Sequence, residues 1–127
     1  MTEEEALKTA EPIVRAIVDC IAKNKYELIY NFAEFSEGIS PEVLSNVIDE
    51  FMSNAEITHI DKYGVQCMIL NRSRPQLRAI IYSNGKGFYI EYDFSTNGEL
   101  NDLTLQMKFL IDDKGGFRAY IEDCHVL

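Results

Sequence analysis

Near residue 56 the apolar residues stop recurring every third or fourth position and begin recurring every second. That switch constrains the fold more than any other feature of the chain. Upstream, Leu7, Ala10, Val14, Ile17 and Ile21 form one stripe, flanked by Ile13 and Cys20. A stripe with helical period is the buried side of an amphipathic helix. Glu11, Arg15, Asp19 and Lys23 follow at i+4 on the opposite side, where alternating charges support a helix. Thr2 and Glu5 have the spacing of a capping box. Pro12 interrupts the pattern, so either the main helix begins near it or a lead-in turn is kinked there. "YELIYNFAEF" reads as a short aromatic helix ending near Gly38. "SPEVLSNVIDEFMSN" then gives a clear helix start, with Ser40 suited to the N-cap and Pro41 to the first turn. Val43, Leu44, Val47, Ile48 and Phe51 are its expected buried stripe.

Downstream, Phe88, Ile90, Tyr92 and Phe94 alternate with Tyr89, Glu91 and Asp93. Leu103, Leu105, Met107, Phe109 and Ile111 alternate with Thr104, Gln106, Lys108 and Leu110, and Phe117, Ala119 and Ile121 with Arg118, Tyr120 and Glu122. Strict alternation predicts strands with one buried and one wetter face, as in antiparallel sheets. "SNGKG" at 83–87 and "DDKGG" at 112–116 read as hairpin turns, and "STNGELN" as the loop joining the two hairpins. In residues 64–76, "VQCMIL" suggests a short strand followed by loop. The expected fold is a single α+β domain over residues 1–127. Its helical layer, 1–55, packs on one face of a curved antiparallel meander, 56–127.

Charge and composition exclude several roles. The net charge is −9, with twelve basic residues among twenty-one acidic ones. Nucleic-acid binding depends on Lys and Arg set against phosphates, so that class is not expected; Arg72, Arg74 and Arg78 are the only local basic group, read as solvated loop. Anionic membranes are disfavoured for the same reason. No apolar run approaches the ~20 residues of a membrane helix, and the acidic start "MTEEEALKTAEP" is unlike a signal peptide. Cys20, Cys67 and Cys124 form neither a Cys-x-x-Cys pair nor a disulfide framework, which suits a reducing cytoplasm.

The C-terminal "EDCHVL" concentrates reactive side chains. With Ile111 paired to Phe117, and Phe94 to Leu103, a regular register places Tyr92, Leu105 and Asp123 in one row facing the helices. The outer two would be roughly 10 Å apart at about 4.8 Å per strand. Asp123 would then be an inward carboxylate, costly to bury unless paired or protonated, with His125 inward beside it and Cys124 outward. Tyr92, Asp123 and His125 are therefore the candidate ligand-binding residues. A Cys124–His125 nucleophile pair is disfavoured because strand neighbours point to opposite faces. His59 and His125 are the only histidines and lack ligand spacing, so no metal or other cofactor is expected. Outward Tyr89, Leu110 and Tyr120 mark a candidate homodimer face.

In its order of helices followed by a curved meander, the chain resembles the nuclear transport factor 2-like superfamily, which includes ketosteroid-isomerase-like proteins. Its tail, with Asp102, Leu103, Thr104 and Leu105 and then Asp123, His125, Val126 and Leu127, resembles a family of small uncharacterised bacterial proteins ending Asp-x-His-Val-Leu. The resemblance implies a cone-shaped fold in a bacterial protein and carries no activity with it. The expected role is binding, of a protein partner or of a small apolar ligand between helices and sheet; the acidity would also suit neutralising a basic partner, as toxin-neutralising proteins do. The alternative is an isomerase or dehydratase using an inward Tyr/Asp pair.

Overall fold

The structure is a computed structural model and describes residues 1–68 and 75–127. The candidate basic group at Arg72 and Arg74 and the end of the suggested strand at 69–70 lie outside the described residues; Val65–Met68 is not strand. Helix α1 spans Glu3–Ala22 and runs straight through the Pro12 position. Pro12 is exposed, so the Lys8 carbonyl it leaves without an amide partner lies on the watered side. The capping box is formed: the Thr2 hydroxyl accepts from the Glu5 amide at 3.1 Å, and the Glu5 carboxylate from the Thr2 amide at 3.0 Å. Helix α2 spans Pro41–Ala55, with the Ser40 hydroxyl accepting from the Val43 amide at 3.1 Å.

Between the helices the expected short helix divides. Tyr26–Asn31 is a 3₁₀ helix, and Glu34–Phe35 is a short strand, β1. The other strands are β2 (Leu77–Ile81), β3 (Gly87–Thr96), β4 (Glu99–Ile111) and β5 (Phe117–Val126), in the sheet order β1-β5-β4-β3-β2. β2 to β5 form the antiparallel meander, but β1 joins β5 in parallel, so the sheet is mixed rather than purely antiparallel. "STNGELN" is a tight hairpin rather than a loop. Asn97 and Gly98, with φ of 53° and 76°, make the two-residue turn between β3 and β4. Gly87 opens β3 where any Cβ would collide with the Phe109 carbonyl oxygen.

The helices cover one face of the sheet. Ile17, Ile29, Leu44, Ile48, Phe88, Ile90, Phe94, Leu103, Leu105, Met107, Phe109 and Ile121 are fully buried there. Phe88 and Phe109 stack with centroids 5.0 Å apart. Within the expected stripes, Val43 and Ile111 lie at the edges of the core and are exposed.

Two bulges set the details. In β3, pairing with β4 shifts between Asp93 and Ser95, so Phe94 does not pair with Leu103; Tyr92 does lie opposite Leu105. In β5, pairing shifts between Gln106 and Met107: Ile121 faces Met107, and Asp123 faces Gln106. Glu122 is the extra residue, and every position beyond it changes face. The row is therefore Tyr92, Leu105, Cys124, not Tyr92, Leu105, Asp123. Cys124 turns inward and is buried, while Asp123 and His125, expected inward, lie on the outer side.

Phe109→Ala removes a fully buried ring from the longest strand. Urea denaturation is expected to show a loss of ~3–5 kcal/mol. A loss below about 1 kcal/mol would place that side chain outside the core.

Candidate functional site

The three expected site residues do not come together. Tyr92 is buried in the core, its ring stacked on Tyr63 at 5.5 Å and edge-on to Phe94 at 5.5 Å. Its hydroxyl accepts from the Gln76 amide nitrogen at 3.3 Å. Burial, with Tyr63 nearby, pushes its phenol well above the usual tyrosine range. Tyr63 fills the space beside it and is itself pinned to α1: its amide donates to Asp19, its hydroxyl to Glu11, and Arg15 lies over its ring at 4.8 Å.

Asp123 and His125 do meet each other. The Asp123 Oδ2 lies 3.0 Å from His125 Nδ1, and its Oδ1 accepts from the Cys124 amide at 2.8 Å. The carboxylate side chain is 58% exposed, so Asp123 is a positioning group for the imidazole and not a desolvated acid. Between them in sequence, the Cys124 thiol is pushed up to about 12 by burial, with Asp123 adding to the effect. That shift makes it a core residue and not a nucleophile.

One concave site lies where α2 meets the end of the sheet. A groove of about 330 Å³ is lined by Val47, Phe51, Leu103, Cys124 and Val126, with Glu50, Asn54 and His125 as polar members. An apolar floor with a few polar groups is the usual make-up of a ligand site. Of the expected residues, only His125 lines it, its ring held by Asp123. The groove exists because the α2 stripe is wider than the core needs. Leu44 and Ile48 are fully buried, while Val47 and Phe51 are left partly uncovered.

Two polar clusters escaped the sequence reading. On the outer face, Asp93 is fully buried and accepts from both terminal nitrogens of Arg78, at 3.0 and 3.2 Å, and from the Thr104 hydroxyl at 2.7 Å. Arg78 also reaches Glu91 at 3.1 Å, and Gln106 donates to Glu91 at 2.9 Å. A buried carboxylate gripped by an Arg fork holds one geometry firmly. This network is a brace across β2, β3 and β4. At the far end of the sheet, Asp61 accepts from the Ser95 hydroxyl and the Asn97 and Gly98 amides, each at 2.9 Å. Burial alone would raise its carboxyl. The Gly98, Ser95 and Asn97 hydrogen bonds, with His59, outweigh that and hold it below the usual range. Asp61 thereby ties the loop after α2 to the β3–β4 turn.

Residues 18–127 match the family model described as Domain of unknown function (DUF7668), which spans most of the chain, and the chain belongs to that family. Comparison with curated proteins and with solved structures gives no match. Among the described residues no helix is long and apolar enough to cross a membrane.

A depressed folded-state pKa makes Asp61 stabilising above the ordinary carboxylate value of ~3.9 and non-stabilising once pH falls through the lower folded value. Asp61→Asn is therefore expected to cost about 1–3 kcal/mol near neutral pH, the cost of disturbing satisfied buried groups. In denaturation at successive pH values the gap to wild type should close in acid. A gap independent of pH would show that the charge of Asp61 contributes nothing.

Proposed function

We propose that this protein is a binding domain, and that the groove between α2 and the end of β5 takes a small apolar ligand or an apolar side chain of a protein partner. The observation that carries this reading is the groove's composition: an apolar floor, with one imidazole at its margin oriented by Asp123. The order of helices followed by a meander supports the nuclear transport factor 2-like cone for a bacterial protein. Three free cysteines fit a cytoplasmic setting. The rival reading, an isomerase or dehydratase working with Tyr92 and Asp123, gains no support from geometry, because these two side chains lie on opposite faces of the sheet.

A homodimer through the outer sheet face is part of the same reading. Ile80, Tyr89, Lys108 and Tyr120 are successive partners across β2 to β5, so they form one continuous row. Ile80 is 54% exposed, and Lys108 lies over the Tyr120 ring at 5.2 Å while paired to Glu122 at 2.6 Å. A row that is mostly apolar, with its one cation already neutralised, suits a symmetric contact.

Indole, a neutral apolar probe with one hydrogen-bond donor, tests the groove by NMR titration. Shifts are expected at Val47, Phe51, Cys124, His125 and Val126, and Asp123→Asn should weaken binding severalfold without unfolding the domain. Scattered shifts, or none at millimolar indole, would count against the site. Sedimentation at micromolar concentration is expected to give about twice the chain mass of 14.6 kDa. A clean monomer would remove the dimer.

A further inference from the structure

The charge around the groove narrows what it receives, an inference that rests on the groove being a binding site. Between Tyr26 and Asp61 the sequence holds eight acidic residues and neither Lys nor Arg, so all twelve basic residues lie elsewhere. This stretch builds the 3₁₀ helix, β1 and the whole of α2. On α2 and at its end Glu42, Asp49, Glu50 and Glu56 are all exposed, and Lys25 lines a separate hollow with Pro41 and Ser45. Among the described residues none of these four has an ion-pair partner.

The end of α2 breaks two local rules at once. The C-terminus of a helix carries partial negative charge and ordinarily attracts a cation in its last turn; α2 has none there. The helix closes on Glu56 in the left-handed region, φ 57°, where a non-glycine residue is uncommon and an acid adds to the negative end. Local rules broken without compensation within the fold mark positions under another demand. Beside this end lies the groove, whose lining includes Asn54 of the last turn. Among the described residues its lining carries Glu50 from α2 and His125 from β5, the latter bonded to Asp123, and neither Lys nor Arg; Asp49 lies on the other side of α2, near Tyr26. Its rim continues into exposed apolar surface at Val43, Val126 and Leu127.

We infer that this face binds a basic segment of a protein partner, which places an apolar side chain in the groove and Lys or Arg side chains against Glu50 and against Glu56 at the end of α2. From Glu50 to Glu56 the chain advances about 9 Å along the helix at ~1.5 Å per residue, too far for one small amine to address both while filling the groove. A polypeptide spans that distance. Phosphate-bearing ligands, nucleic acid and anionic lipid alike, are repelled by the same charges. Apolar contact supplies the anchor, and charge complementarity supplies fast, selective encounter.

The probes are a short amphipathic peptide of Leu and Lys and its counterpart with Glu in place of every Lys. The Leu–Lys peptide is expected to bind with NMR shifts at Val47, Phe51 and Val126, more weakly at high salt, and the Leu–Glu peptide not to bind. The double variant Glu50→Lys, Glu56→Lys should weaken Leu–Lys binding at least ~10-fold. Glu99→Lys with Asp113→Lys, the same change in net charge at exposed positions elsewhere, should change it less than about twofold. Equal binding of both peptides, or equal weakening by both double variants, would overturn the inference, the latter by showing only general attraction to an acidic protein. Indole separates the two levels. If indole binds the groove and the Leu–Lys peptide does not, the basic partner is wrong and the groove reading stands. If neither binds, both fall.

Discussion

One extra residue in β5, Glu122, decides what the C-terminal quarter of the protein can do. Without the bulge, the carboxylate of Asp123 would face Leu105 inside an apolar core, at a cost of several kcal/mol for an unpaired charge. With it, the small apolar thiol of Cys124 takes that place, and Asp123 turns to the outer side. The Asp123 carboxylate then accepts from the Cys124 amide just past the bulge and holds the His125 ring. The same shift makes Cys124 part of the floor of the groove under α2, with His125 at its margin.

The two faces of the sheet are stabilised differently. The helix side is held by burial of close-packed aliphatic and aromatic side chains. The outer side is held around Asp93, buried by its neighbours and gripped by Arg78 and Thr104. Such a pair adds little net stability but is costly to half-remove, since the remaining charge stays buried. It fixes the relation of β2 to β3, as the Asp61 hydrogen bonds fix the loop after α2 to the β3–β4 turn. The rigid scaffold leaves α2 with its acidic surface and an incompletely covered apolar stripe.

Much of this fold was legible where the cause is local. Thr2 with Glu5, and Ser40 with Pro41, mark helix starts through contacts within four residues, and both are formed. The alternation in β3 and β4 named the inward residues because most of each strand is regular. Asn97-Gly98 carries a hairpin signal too, but the alternation around it breaks, and only the pairing of Thr96 with Glu99 shows the turn to be tight. The bulge at Glu122 was not legible, since nothing in "YIEDCHV" separates a regular strand from a bulged one except the cost of burying Asp123. Glu34–Phe35 becomes a strand only by pairing with Tyr120 and Ile121, far along the chain. The site was legible only through His125; Val47 and Phe51 looked like core because a stripe shows no sign of where its cover stops.

The register of β5 is the claim on which the site depends, and thiol labelling reads it directly. In the bulged register Cys124 is 2% exposed and its thiol is held protonated, whereas Cys67 is partly exposed. Brief treatment of the folded protein with iodoacetamide near neutral pH, followed by peptide mass mapping, should modify Cys67 and leave Cys124 unmodified until denaturant is added. Cys124 modified in the folded state as readily as Cys67 would put it on the outer face, return Asp123 to the core and contradict the account.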